Sequence, residues 1–127
     1  MSGEGGIAFS MPGGEAGKAC AGKTGTGRPI DMAHLARQTM GDRALEQEVL
    51  ALFLQQALGV CRKMAAAGVG ERLLMAHGLK GSARGVGAFA IAECATEIER
   101  DPNDAALWKR LAGRVQAASD FIAAIAR

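Results

Sequence analysis

Apolar and polar positions alternate at helical spacing along most of this chain, and the pattern predicts a succession of amphipathic helices. Asp31 can cap a short one, with Met32, Leu35 and Ala36 facing inward and an end near Gly41. Asp42 opens a long helix in which Leu45, Val49, Leu52, Phe53, Val60 and Met64 recur three and four residues apart. Glu46, Glu48, Gln55, Arg62 and Lys63 take its other faces, and Gly68-Val69-Gly70 is expected to end it. A third helix is expected from near Glu71 to about Val86, with Met75, Leu79, Ala83 and Val86 as its core stripe and Gly85 or Gly87 as its stop. Residues 88–100 form a fourth, with Ala88, Ile91, Ala95 and Ile98 inward and Glu93, Glu97, Glu99 and Arg100 outward. Asp101-Pro102 reads as the N-cap and first position of a final helix, which lines up Trp108, Leu111, Val115, Ala118, Ile122 and Ile125.

No segment reads as a strand, and β-branched and aromatic residues are sparse, with aromatics at 4% and no Tyr. The fold class expected is all-α. Four long amphipathic helices with short connections pack most simply as an antiparallel four-helix bundle, with the short extra N-terminal helix covering one end. Residues 29–127 make up this domain. Residues 1–28 hold nine of the 18 glycines and few large apolar side chains, so they are expected to be a flexible tail. Within the tail, Gly17-Lys18-Ala19-Cys20-Ala21-Gly22-Lys23-Thr24 fits the phosphate-binding pattern G-x-x-x-x-G-K-[ST]. That pattern has meaning between a buried strand and a helix, and neither neighbour can form one, so it reads as a chance of composition.

Charge and cysteines narrow the class further. Residues 29–127 carry one net positive charge, which gives no general field for nucleic acid. No apolar run approaches the roughly eighteen residues of a membrane span, and Met1–Gly6 lacks the basic and apolar segments of a secretory signal. A cytoplasmic protein, with no membrane partner, is the expectation. Cys20, Cys61 and Cys94 are odd in number and form no C-x-x-C pair, which suits free thiols in a reducing compartment.

The chemistry concentrates on the third helix, in Ala76-His77-Gly78-Leu79-Lys80-Gly81-Ser82-Ala83-Arg84-Gly85-Val86-Gly87-Ala88. At about 100° per residue, His77, Lys80, Gly81 and Arg84 share one sector, opposite the core stripe. The imidazole is thereby offered to something outside the protein, beside cations and a residue without a side chain. Leu73 and Leu74 project to the same side as an apolar docking ring. His34, the second histidine, has no lysine–glycine companion, and two histidines on separate helices make no convincing metal site.

Ala76-His77-x-Leu79-Lys80-Gly81-Ser82-Ala83, followed by Gly87-Ala88, resembles the signature of histidine-containing phosphotransfer (HPt) domains, over roughly the last hundred residues. The family usually has a larger residue where Gly78 stands. The resemblance implies that His77 is a phosphoacceptor. It would take a phosphoryl group from an aspartyl-phosphate receiver domain, of a response regulator or a hybrid histidine kinase, and pass it to another receiver. Imidazole suits that task, being nucleophilic near neutral pH and forming a phosphoramidate that a carboxylate readily attacks. Lys80 can reach the phosphoryl oxygens, Arg84 adds positive potential, Gly81 lets the partner approach, and Leu73, Leu74 and Ser82 complete the binding face. By the same resemblance the receiver supplies the aspartate and Mg²⁺. The chain itself is expected to be a monomer with no cofactor, no metal and no ATP site, a phosphotransfer intermediate and not an enzyme. A helical adaptor that binds signalling partners without being phosphorylated is the alternative.

Overall fold

In a computed structural model, residues 28–126 are described, and every regular element among them is a helix. The order is α1 (Met32–Thr39), α2 (Arg43–Met64), α3 (Val69–Val86), α4 (Phe89–Arg100) and α5 (Ala105–Ile125). The expected tail, its 17–24 pattern and Cys20 lie outside the described residues, apart from Arg28.

Caps explain most of the boundaries. Asp31 accepts from the His34 N–H, and Asp42 from that of Leu45, each satisfying a donor that the first helical turn leaves open. The last helix departs from expectation. Asp104, not Asp101, is its N-cap, accepting from Ala106 N–H, whereas Asp101 ends α4 through its own N–H to the Glu97 carbonyl. Pro102 therefore lies in the turn and not at the first helical position, and its carbonyl accepts from Trp108 Nε1 at 3.0 Å. Gly68-Val69-Gly70 also differs. The second helix ends at Met64, Gly68 caps α3, and Val69 and Gly70 are already its first turn.

The long helices contact one another in chain order, α2 on α3, α3 on α4 and α4 on α5, and α5 returns to α2. The short α1 lies on α2 and α3. The core they enclose includes Leu35, Leu50, Phe53, Met64, Leu79, Ile91, Ile98, Leu111 and Val115. On α3 and α4 the buried positions match the expected stripes, with Met75 half-buried. On α2 they do not. The inward face is Glu46, Leu50, Phe53, Ala57, Val60 and Met64, while Leu45 and Leu52 are exposed, Leu52 at 66%. The docking of α1 accounts for the carboxylate on that face, since the Thr39 hydroxyl sits 3.3 Å from Glu46 Oε2. At the far end of α5, Ile125 is exposed and Ile122 half-buried.

Two clasps tie the ends. The Asp31 N–H donates to the Gly87 carbonyl at 2.9 Å, which fastens the start of α1 to the α3–α4 turn. At the other end Arg72 donates to the carbonyls of Met64 and Ala65 and to Asn103 Oδ1, with its guanidinium 4.2 Å from the centre of the Trp108 ring. Cys61 is half-buried and Cys94 buried, both as free thiols. Burial pushes the Cys94 thiol up to about 11 and raises Cys61 as well, so neither is poised as a thiolate. The helices that carry them, α2 and α4, bring no Cα atoms within 8 Å of each other, whereas a disulfide needs Cα atoms within about 7 Å.

Candidate functional site

The site is assembled on α3, whose sequence is a helix with one buried and one open side. Ala76, Leu79, Ala83 and Val86 are buried, and this fixes which way the remaining positions point. His77 faces outward with its side chain 73% exposed. Gly81, about one turn on, has no atom within 4 Å of where a Cβ would sit, so the surface there is open. Leu73 and Arg84 are exposed along the same side, and Leu74 is exposed at 76%. Ser82 is not part of this face. It is half-buried and lies about 140° round the helix from His77.

Lys80 is placed differently from the expectation of a free cation beside the imidazole. Its side chain is only 20% exposed, and its ammonium donates to Glu99 Oε1 at 2.6 Å. The other carboxylate oxygen, Oε2, lies 3.1 Å from His77 Nδ1. Glu99, read from the sequence as an outward residue of α4, is thus turned toward α3 and shared between Lys80 and His77. Its hydrogen bond from Lys80 and, more weakly, that from His77 hold its carboxyl below the usual carboxylate range, against the opposing effect of partial burial. The carboxylate is therefore ionised at neutral pH and can only accept hydrogen bonds. A hydrogen bond with that carboxylate has Nδ1 as its donor, which in the neutral ring puts the lone pair on Nε2.

Neighbours from α2 were also hidden from sequence reasoning. A Cβ on Gly78 would come 3.9 Å from Gln56 Nε2, so Gln56 borders the residue next to the histidine. Leu52, one turn before Gln56 on the same side of α2, continues that border as an exposed apolar residue. The lengths of the hairpin's arms narrow the α4 neighbours of His77 without singling out Glu99. The α3–α4 turn at Gly87-Ala88 folds residues ten before it onto residues ten to twelve after it, and those include Glu97 and Glu99.

His34 is remote from this face in kind as well as place. It is half-buried on α1, edge-on to Phe89 at 5.2 Å, with Nε2 buried and unpartnered. Among the described residues, no group of three His, Cys, Asp or Glu side chains could hold a metal ion, and no helix is long and apolar enough to cross a membrane. Comparison of the chain with protein-family models, with curated proteins and with solved structures finds no match.

Proposed function

We propose that this chain is a phosphorelay carrier of the histidine-containing phosphotransfer type, built as an antiparallel four-helix bundle (α2 to α5) with α1 covering one end. In this reading His77 accepts a phosphoryl group from the aspartyl phosphate of a receiver domain and yields it to the aspartate of another. The observation that carries the reading is the exposed imidazole at mid-helix, with an ammonium one turn along and an open glycine surface beside it. Phosphoryl transfer asks a protein for positioning and charge stabilisation more than for covalent chemistry, and those are what the face offers. Gly81 lets the receiver's active site come close, and Leu73, Leu74 and Arg84 surround the approach. The receiver contributes the aspartate and Mg²⁺, so the carrier needs no nucleotide site of its own.

Mixing with a phosphorylated receiver should leave acid-labile, base-stable phosphate on the chain. His77→Gln should abolish it with helicity intact, and His34→Gln should not. Retained labelling of the His77 variant would move the acceptor elsewhere. A second reading, a helical adaptor that is never phosphorylated, draws on the fact that Lys80 is already engaged by Glu99. That reading predicts receiver binding without phosphate transfer.

A further inference from the structure

We propose that the segment Ile7–Met11 of this chain's own N-terminal stretch docks in a shallow trough between α2 and α3, beside His77, and competes there with whatever approaches the histidine. Leu52 and Leu74, the most exposed leucines among the described residues, mark the ends of the trough. Leu52, Gln56 and Gly59 share one stripe of α2, and Leu74, Gly78, Gly81 and Gly85 share one stripe of α3. Gln56 lies against Gly78, so in the α2–α3 hairpin Leu52, one turn earlier, is level with a residue one turn after Gly78. The two leucines are thereby about eight helical residues apart along the axis, a span of about 12 Å. Between them the floor is glycine, and no atom lies within 4 Å of a Cβ built on Gly59 or Gly81.

The occupant follows from the rest of the sequence and from where it joins the fold. Apart from Met1, the large apolar residues ahead of Arg28 are Ile7, Phe9 and Met11. They alternate, so an extended backbone puts all three on one side, over a length of about 13 Å at roughly 3.3 Å per residue. Ile30 is fully buried and the Asp31 N–H is bonded to the Gly87 carbonyl, so the chain joins the fold at the Leu52 end of the trough. Met11 then meets Leu52, Phe9 lies over the glycines, and Ile7 meets Leu74. A Gly-rich chain as long as the stretch from Met11 to Arg28 has a root-mean-square reach of about 20–25 Å. Gly87 is only about five helical residues, or about 8 Å, beyond the Leu52 end, so the trough is within that reach. Each end carries one exposed cation and one exposed acid, Arg84 with Glu48 and Lys63 with Glu71, so apolar contact and tethering decide the docking and charge does not. A short tether gives an effective concentration of about millimolar, far above that of a second copy in micromolar solution. At that concentration an intrinsic dissociation constant of about 1 mM covers the trough about half of the time, and a partner that needs it open binds about twofold more weakly. In the carrier reading, on which this consequence rests, that partner is the receiver.

The test uses the full chain labelled with ¹⁵N, as wild type and as a variant with Ile7→Ser, Phe9→Ser and Met11→Ser, positions that the helical core does not include. The amide signals of Leu52, Gly59, Gly78 and Gly81 should differ between the two chains, and that of Gly113 on α5 should not. Tenfold dilution should leave the differences unchanged. Identical signals on the α2–α3 face would overturn the docking. Differences that vanish on dilution would assign the trough to a second copy and overturn it as well. An unphosphorylated receiver domain that exchanges phosphate with the chain should bind the variant about twofold more tightly than wild type. Equal binding would overturn the competition. A chain that takes phosphate from no receiver overturns the carrier reading, and the amide signals alone then decide the docking.

Discussion

Gly87 and Asp31 lie so close that a Cβ on Gly87 would meet the Asp31 carbonyl oxygen at 2.8 Å, closer than real carbon–oxygen contacts allow. Gly87 also has φ +87°, a left-handed conformation that side chains resist, and its own N–H closes the end of α3 on the Arg84 carbonyl. Gly87→Ala therefore carries two costs, backbone strain and displacement of the segment that leads into α1. A loss of about 2 kcal/mol or more is expected. Thermal unfolding should show it as a fall of roughly 10 °C. An unchanged melting temperature would mean that the α1 clasp carries no weight.

Gly81 should behave in the opposite way. It is helical, and a side chain there meets nothing, so Gly81→Gln should raise stability by up to about 1 kcal/mol through helix propensity. The same side chain would project into the surface next to His77. Receiver affinity, measured by titration with the unphosphorylated domain, should drop while the melting temperature holds or rises. Undiminished binding would show that the receiver docks elsewhere.

Arg72 gathers four partners, at the end of α2, in the α4–α5 turn and on α5, and its planar fork is what lets one side chain reach them. Arg72→Lys keeps the charge but cannot reproduce that set. A loss of roughly 1–2 kcal/mol is expected in urea unfolding. Trp108 is the chain's single tryptophan, so its fluorescence reports this cluster directly, and the folded-state emission of the variant should shift.

The Glu99 carboxyl, lowered first by Lys80, links this site to acid stability. A depressed folded-state pKa means that the stabilising contribution is present above the unfolded value of 4.5 and is lost as pH falls through the folded value below it. At neutral pH Glu99→Gln should be less stable than wild type by about 0.2–1 kcal/mol, as for a partly exposed ion pair. The gap should close as pH drops from about 5 toward 3. A gap that stays constant over this range would show that the carboxylate contributes by shape and not by charge.

The motif helix and its partner were legible because their apolar positions form single stripes: Leu79, Ala83 and Val86 on α3, and Ile91, Ala95 and Ile98 on α4. On α2 the sequence carries two stripes. One runs through Leu45, Val49 and Leu52, the other through Leu50, Phe53, Ala57, Val60 and Met64. Periodicity cannot choose between them, and a buried Glu46 argues locally against the one that packs. Its choice depends on α1, through Thr39. Glu99 escaped for a related reason. Within α4 it is one polar residue among several, and only the register of α4 against α3 turns it, and not Arg100, toward His77. Asp101 and Asp104 are equally good caps on paper, and the turn built by Asp104 N–H to the Asp101 carbonyl settles which one caps.

The α3–α4 hairpin has a kinetic consequence. His77, Lys80, Gly81 and Glu99 all fall within one stretch of 32 residues, from Val69 to Arg100, closed by a turn of two. The interactions that shape the face span no more than 22 residues of chain. Closing so short a loop is entropically cheap, and helical topologies with such local contacts fold in microseconds to milliseconds. The face can therefore be complete as soon as two neighbouring helices have met, before α5 returns to α2. A nascent chain would then emerge with His77 already oriented while its last helix is still being made.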